Sequence, residues 1–455
     1  MREGLDLLIR GGTLVTPAGL VPGDLGVAGG RIARIAPRIA EEAAETLEAA
    51  GLHVFPGIID AHVHFNEPGR TQWEGIETGS AALAAGGGVA FFDMPLNSLP
   101  PVLDAASFEA KRALAAAKSR TDFALWGGLV PGNLDRLGEL RDAGAIALKA
   151  FLCGSGVEEF PGIVDPATLR RGMKAAAALG LLVAVHAEFD PLARSLTEAA
   201  RARGETDARS WLRTRPVEVE ERAILLATEL AGETGCPLHI VHVSSPEGLA
   251  LVRQARARGV DVSAETCPHY LLFSEEDVIR QGAPAKCAPP LRSEERRQGL
   301  WAALERGEAD TIGSDHSPAP PEMKASPDFF EIWGGISGCQ HGFPLLLSAA
   351  LERGPAERVL PRLAGLLAGN VARRFRLGPR KGRLEEGADA DLALLDLRAP
   401  HVLDNGELLY RHRQGPYGGR PCSVQVRRTL LRGRTIALNG RIASGPPTGQ
   451  ALRRS

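Results

Sequence analysis

The sequence predicts an α/β protein: a (β/α)8 barrel of the TIM type with a small β-sandwich domain built from both chain ends. Three observations support this prediction. Apolar strand-like segments alternate with helical segments through the middle of the chain, and glycine-rich strand patterns occupy both ends. Potential metal ligands follow several of the apolar segments. In a parallel barrel the active site lies at the carboxyl ends of the strands, which is where these residues would stand.

The domain boundaries follow the changes in this pattern. Residues 1–52 and 385–440 contain short strands and glycine turns, and neither segment has enough strands to bury a sheet face alone. We therefore predict that the two segments together form the β-sandwich domain and that residues 53–384 form the barrel. The composition of residues 441–455 predicts a flexible tail.

Eight apolar segments are candidates for the barrel strands. The length of 455 residues suits a large barrel plus a smaller domain. Eight strands with helical crossovers fit a barrel better than the alternative, a doubly wound sheet. The segments are HVFPGIIDAHVHF, GVAFFDMP, DFALWGGLV, AIALKAFL, GLLVAVHAE, CPLHIVHVSS, VDVSAETCPHY and ADTIGSDHS.

The composition is that of a soluble enzyme. Hydrophobic residues make up 44%, charged residues 24%, and the net charge is −2, which leaves no basic excess for nucleic acid or an anionic membrane. No apolar run reaches the roughly 18 residues of a membrane span, and the first residues lack the hydrophobic region of a signal peptide. The six cysteines form no C-x-x-C pair. We therefore expect a reducing, cytoplasmic environment.

Five metal-ligand residues stand at the ends of four predicted strands. His62 and His64 share one strand face, because side chains alternate along a strand, and could hold one ion together. His186, His242 and Asp315 each end a different apolar segment. A core histidine or a capping aspartate would explain any one of them. Their coincidence at one barrel mouth instead predicts a metal centre.

Lys149, within the apolar segment AIALKAFL, is unusual at a predicted strand position, because lysine is seldom buried. Only 7 of the 53 basic residues are lysines, so its position is notable. One alternative is a lysine that reaches solvent or pairs with an acid such as Glu158. Beside metal ligands we favour another interpretation. Burial lowers the lysine pKa, and the neutral amine can react with carbon dioxide to give a carbamate that bridges two metals.

The order H-x-H, lysine, histidine, histidine, aspartate resembles the cyclic amidohydrolases of the amidohydrolase superfamily, over nearly the whole chain. This family includes dihydroorotases, hydantoinases and allantoinases. The resemblance implies that His62 and His64 bind one metal and His186 and His242 a second. It implies further that carboxylated Lys149 bridges them, and that Asp315 ligates the first metal and is the general base and acid. Zinc suits these ligands best, with manganese, cobalt, nickel or iron as substitutes.

Shorter motifs favour the allantoinase branch of this family. FNEPGRTQWEG, MPLNS, FALWGGLVPGN, ETCPHYL, CAPPLR, SDHSP and WGGISG are similar to it, whereas FLCGSG and HAEFD depart mildly from it. Dihydroorotases carry an arginine where this chain has Asn66, and an uncharged amide suits a neutral ureide better than a carboxylate. The implied reaction is hydrolysis of the allantoin ring to allantoate by a metal-bridging hydroxide.

The candidate substrate contacts are Asn66, Asn97, Cys287 and Ser317, the last two through main-chain groups. Dihydroorotase activity stays open as an alternative, with Arg70 as the nearby cation, as does hydantoinase activity. A non-catalytic scaffold and a mononuclear deaminase are alternatives of other kinds. The resemblance also implies a homotetramer with a small-molecule substrate and no nucleic-acid or membrane partner.

Overall fold

A computed structural model describes residues 4–455 of the chain. Within this range the strands are β1 Leu5–Thr16, β2 Gly19–Ala28, β3 Arg31–Ala36, β4 Ala43–Glu48, β5 His53–Pro56, β6 Ile58–Val63, β7 Gly88–Asp93, β8 Asp122–Leu125, β9 Gly127–Gly128, β10 Leu148–Phe151, β11 Val183–His186, β12 Leu238–Ile240, β13 Val262–Thr266, β14 Thr311–Ile312, β15 Leu392–Asp396, β16 His401–Val402, β17 Pro421–Cys422, β18 Gln425–Leu431, β19 Arg434–Leu438 and β20 Arg441–Ile442.

Helices separate most of the central strands, as the sequence predicted. They are α1 Ile76–Ala85, α2 Ala105–Lys118, α3 Leu137–Ala143, α4 Pro166–Ala178, α5 Asp190–Ala202, α6 Ala208–Arg213, α7 Val217–Thr234, α8 Pro246–Ala257, α9 Pro268–Leu272, α10 Glu275–Gln281, α11 Glu294–Glu305, α12 Gly342–Arg353, α13 Ala356–Ala364 and α14 Asn370–Arg374. Among the described residues, no helix is both long and apolar enough to cross a membrane.

Several helices begin where a side chain replaces the missing hydrogen-bond partners of the first turn. Asp104 accepts from the Ser107 main-chain N–H at the start of α2, and Asp165 accepts from Ala167 and Thr168 at the start of α4. Ser245 does the same for α8, with proline at the next position. These caps fix where the chain turns from the end of a strand region into the crossover helix.

Two parallel sheets occupy the centre of the chain. One contains β6, β7 and β8, and the other runs in the order β14-β13-β12-β11-β10-β9. Residues of β7, β8, β10, β11 and β13 are buried throughout, as expected for parallel strands covered by helices. At the free edges of the two sheets, Val63 forms a parallel bridge to His316. The carboxyl ends of these strands therefore point the same way.

A nine-stranded sheet combines both ends of the chain. Its order is β20-β19-β18-β15-β5-β1-β2-β3, with β4 paired to β1. The join occurs where β15 pairs antiparallel with β5. N-terminal and C-terminal segments therefore complete one sheet.

The transition into the central sheets lies later than the predicted boundary at residue 53. The segment predicted as one strand is two: β5 belongs to the nine-stranded sheet, and β6 begins the parallel sheet. Gly57 stands between them. A Cβ there would lie 2.3 Å from Val89 Cγ1, so only glycine permits this close approach of β7.

The C-terminal residues, which the sequence suggested as a flexible tail, run along β8. Main-chain hydrogen bonds join Phe123 to Gln450 and Leu452. Asp122 also accepts from the Gln450 N–H. The edge strand β8 thereby gains a hydrogen-bonding partner, a contact that the polar, proline-containing sequence did not indicate.

Candidate metal centre and substrate cavity

His62, His64 and Asp315 meet where β6 and β14 end. His62 Nε2 lies 3.2 Å and His64 Nε2 lies 3.5 Å from Asp315 Oδ1. The His64 N–H donates to the His316 carbonyl, which holds the end of β6 beside the residues that follow β14. All three side chains are buried, and one ligand atom from each lies close enough to the others to hold an ion.

His186 and His242 form the second histidine pair. His186 ends β11, and His242 follows β12 with a φ of 41°, in the left-handed region. His186 Nδ1 lies 2.9 Å from His242 Nε2. The two imidazoles therefore converge, although they come from different strands of the same sheet.

Lys149 lies on β10, next to the strand of His186, with Lys149 opposite Ala184 and Phe151 opposite His186. Its side chain is buried, and Nζ has no hydrogen-bond partner among the described residues. Burial lowers the pKa of Lys149 to about 8, although Asp315 and Glu265 act in the opposite direction. Among the described residues Lys149 does not pair with Glu158; its amine lies 4.9 Å from the centroid of the Phe151 ring, in the cavity wall that also contains the histidines.

Two buried carboxylates contact the outer nitrogens of these histidines. Glu265 Oε1 lies 2.7 Å from His62 Nδ1, and Glu188 Oε2 lies 2.8 Å from His186 Nε2. An ionised carboxylate only accepts hydrogen bonds, so each histidine donates N–H to its carboxylate and directs its other nitrogen inward as a lone pair. Since inward lone pairs and Asp315 all favour a cation, the donor set fits metal binding.

Sequence reasoning missed both carboxylates, although a signal was present. Glu188 stands two residues after His186, and Glu265 is an acidic residue within the buried strand β13. The nearby histidines keep Glu265 ionised despite burial, and its pKa lies at about 2. An acid at an apolar strand position would have been the clue.

Asp315 is held as a carboxylate. Burial opposes ionisation, but His62 and His64 outweigh it and keep the pKa of Asp315 well below its usual range. Its φ of 45° is in the left-handed region, which aims the side chain at the histidines rather than along the strand. Asp315 can therefore accept a proton within the cavity.

One cavity of about 550 Å³ contains all six predicted metal ligands in its wall. Of the predicted substrate contacts, Asn97 and Ser317 also line it. The side chains of Asn66 and Cys287 are buried outside the lining. Asn66 Nδ2 is directed to the Pro318 carbonyl at 3.5 Å.

Arg70, the cation that a dihydroorotase would need, is engaged elsewhere. Its guanidinium donates to both carboxylate oxygens of Glu159, at 3.0 and 3.2 Å, and to the Asn97 carbonyl at 3.0 Å. Arg70 does not line the cavity. It therefore supports the loop that carries Asn97 instead of presenting a charge to a substrate.

The remaining buried histidines lie outside the cavity lining. His239 contacts Ser263 Oγ at 2.7 Å, as expected for a residue on the opposite strand face from His242. His316 Nδ1 accepts from the Gly338 N–H. His269 is also buried. The pairs described above are thus distinguished from the other histidines by where they point.

Comparisons with known proteins show the family of the chain. Residues 53–436 match the family described as "Amidohydrolase family". The chain is 52% identical to a protein named allantoinase from Deinococcus radiodurans, over 99% of both chains. It is 40% identical to an allantoinase from Escherichia coli, over 95% of both.

Solved structures extend the likeness to the fold. The L-hydantoinase (dihydropyrimidinase) of Arthrobacter aurescens has a TM-score of 0.95 at 33% sequence identity. The match covers 99% of this chain and 100% of that one. The D-hydantoinase (dihydropyrimidinase) of Thermus sp. has a TM-score of 0.90 at 26% identity, covering 98% of this chain and 99% of that one. With its family match, its relatives and its histidine, lysine and aspartate cavity, the chain belongs to the amidohydrolase family.

Proposed function

We propose that this protein is an allantoinase, which hydrolyses the hydantoin ring of allantoin to allantoate. The observation that carries the proposal is a cavity whose wall combines the six candidate ligands and does not include Arg70, the cation predicted for a dihydroorotase. The relatives named allantoinase, up to 52% identical, support the same activity. Allantoin hydrolysis belongs to a wider class of reactions, the hydrolysis of C–N bonds in cyclic amides.

Hydantoin hydrolysis is the second candidate, because the similar solved structures are hydantoinases. Purified protein reconstituted with zinc and bicarbonate should be assayed on allantoin, hydantoin and dihydroorotate under identical conditions. We expect the highest kcat/KM on allantoin. A preference for either of the other two rings would refute the proposal. A protein that takes up no zinc on reconstitution and is inactive on all three compounds would support a non-catalytic scaffold.

Membership of the family implies a divalent metal centre. We propose two ions, best fitted by zinc, with His62 and His64 holding the first and His186 and His242 the second. Asp315 would complete the first site. When bound, the ions polarise the ring carbonyl and make water acidic enough to attack near neutral pH.

Lys149 would bridge the two positions as a carbamate. Its neutral amine nitrogen forms a bond to the carbon of carbon dioxide, and one proton leaves to solvent. The product has a negative charge and two oxygens, so it replaces an unpaired buried amine with a bidentate anion. The absence of a competing hydrogen-bond partner at Nζ among the described residues supports this role.

Asp315 would move the proton. It accepts a proton from the attacking water and delivers it to the ring nitrogen that leaves when the C–N bond breaks. Glu265 and Glu188 would fix the protonated nitrogens of His62 and His186 and so hold both rings in position. Asn97 is proposed to contact the ring through its side chain, and Ser317 and Cys287 through main-chain groups, since Ser317 and the neighbours of Cys287, Lys286 and Ala288, line the cavity. Asn66 stays a predicted contact.

We also infer that the two parallel sheets close into an eight-stranded barrel. The Val63–His316 bridge at one junction and the continuity of β8 with β9 at the other support closure. The proposed domains are a barrel that begins at β6 and ends at residue 384, and a β-sandwich from the residues up to Pro56 and residues 385–442, which include β5 and β20. Of the residues that follow, Gln450 and Leu452 pair with β8.

A cytoplasmic homotetramer completes the proposal. All six cysteines are buried and unpaired, which suits a reducing compartment. Sedimentation of the metal-loaded protein should give the mass of four chains. A monomer at working concentrations would refute the tetramer without affecting the activity.

A further inference from the structure

Glu188 has one carboxylate oxygen that its known contact leaves unused. Oε2 lies 2.8 Å from His186 Nε2, whereas Oε1 is buried without a hydrogen-bond partner among the described residues. Glu188 lines the cavity beside the candidate metal centre. Leaving a buried acceptor unpaired is costly, so this oxygen is suited to receive a donor from a bound molecule.

Arg215 places a guanidinium beside that oxygen. Its Nε lies 3.8 Å from Glu188 Oε1, too far for a direct hydrogen bond. The guanidinium lies over the Trp211 ring at 5.1 Å, and Nη1 donates to Thr214 Oγ1 at 2.8 Å. Arg292 donates to the Arg215 carbonyl, which holds the main chain. Arg215 is thus a fixed cation in the cavity wall.

Two other cations of the cavity wall have partners of their own. Arg194 pairs with Asp190 at 2.9 Å and is largely exposed. Lys286 Nζ donates to the main-chain carbonyls of Phe329 and Ile332. Arg215 and Glu188 form a pair next to His186 in which Glu188 Oε1 has no hydrogen-bond partner among the described residues.

We propose that Glu188 and Arg215 form the subsite that receives the ureido group of the substrate, an inference that rests on the proposed function. A ureido group is planar and carries N–H donors on both sides of a carbonyl acceptor. The free oxygen of Glu188 accepts from an N–H, and Arg215 donates to the carbonyl. Because Glu188 contacts His186, this subsite lies within reach of a substituent on a hydantoin ring held at the metal centre.

This pair would separate ureido-substituted hydantoins from those with an alkyl group. An alkyl substituent displaces water from both charges and returns no hydrogen bond, so its binding is penalised. Specificity would then come from the substituent of the ring, while the metal-ligand set acts on the ring itself. Glu188 is both a positioning residue for His186 and a specificity-determining residue.

The test is Arg215→Met, with allantoin and 5-methylhydantoin as substrates and zinc content measured for every protein. We expect kcat/KM on allantoin to fall about 10-fold to 100-fold, the effect of losing a hydrogen bond to a charged group. Zinc content and the value for 5-methylhydantoin should stay within about 3-fold. If 5-methylhydantoin is not turned over, its inhibition constant against allantoin supplies the comparison.

Arg194→Met is the matched control, since it removes a cavity-wall arginine that already has a partner, and it should keep the wild-type preference. An equal loss on both ring compounds in Arg215→Met, or no loss on either, would overturn the inference while the proposed function stands. Wild-type protein inactive on allantoin would overturn both. Glu188→Gln with full zinc content should shift the preference in the same direction, and an unchanged preference counts against the subsite.

Discussion

Replacement of Lys149 by arginine tests the bridging carbamate directly. Arginine keeps the positive charge and cannot readily lose the proton that carboxylation requires. The Lys149 side chain is 1% exposed, and its Nζ lies 4.9 Å from the centroid of the Phe151 ring without a hydrogen-bond partner among the described residues, so a permanent cation there would repel metal ions. We expect Lys149→Arg to lose both bound zinc and activity.

The size of the effect follows from the pKa. At pH 7 an amine with the ordinary value of 10.5 is neutral in roughly one molecule in 3,000, whereas a value of about 8 makes about one in ten neutral. Burial thus raises the reactive fraction about 300-fold. Because the neutral amine reacts with carbon dioxide, reconstitution at a fixed concentration of dissolved carbon dioxide should accelerate about tenfold per pH unit below pH 8 and level off above it.

The assay is reconstitution of chelated protein with zinc, with and without bicarbonate, followed by zinc analysis and allantoin turnover. Wild type should need bicarbonate for full zinc uptake. Lys149→Ala should regain part of both when a short carboxylic acid is added. Lys174→Arg, at an exposed position of α4, is the matched control and should behave as wild type. Full activity of Lys149→Arg would refute the bridge.

Three further changes test other parts of the structure. Glu265→Ala should weaken zinc binding about 10-fold to 100-fold by freeing the His62 ring; unchanged affinity in equilibrium dialysis would contradict this. Asp315→Asn should lower kcat by about 10² to 10⁴, and near-wild-type turnover would remove it as the base. Lys381→Met should lower the free energy of unfolding in urea by about 3–5 kcal/mol, because Asp122 and Asp391 lose the buried ammonium that lies 2.6 and 2.7 Å from their carboxylates. KM should not change. Unchanged stability would show that these ion pairs do not stabilise the fold.

The predicted metal ligands could be read from the sequence because their signals are local. Each histidine, the lysine and the aspartate follows or interrupts an apolar segment, and side-chain alternation separates His242 from His239. Parallel strands of one sheet bring their carboxyl ends together, so strand-end residues meet whatever the loops do. The structure places all six in one cavity.

The substrate contacts were harder to predict, because loop geometry decides them. Asn66 has a φ of 64°, in the left-handed region, and its amide is directed to the Pro318 carbonyl away from the cavity lining. Cys287 is likewise buried outside the lining. The join between β5 and β6 also escaped prediction, since one continuous apolar run belongs to two different sheets.

The sequence alone determined which chemical groups are present, in what order, and that a buried lysine accompanies them. Only the tertiary structure decided which nitrogen of each histidine faces inward. That choice depends on carboxylates such as Glu265, which is 203 positions from His62 in the chain yet 2.7 Å away in space. A hydrogen bond between distant segments leaves no periodic signal, whereas strand alternation does. The candidate ligand set is therefore predictable from the sequence, and the orientation of its side chains arises from packing.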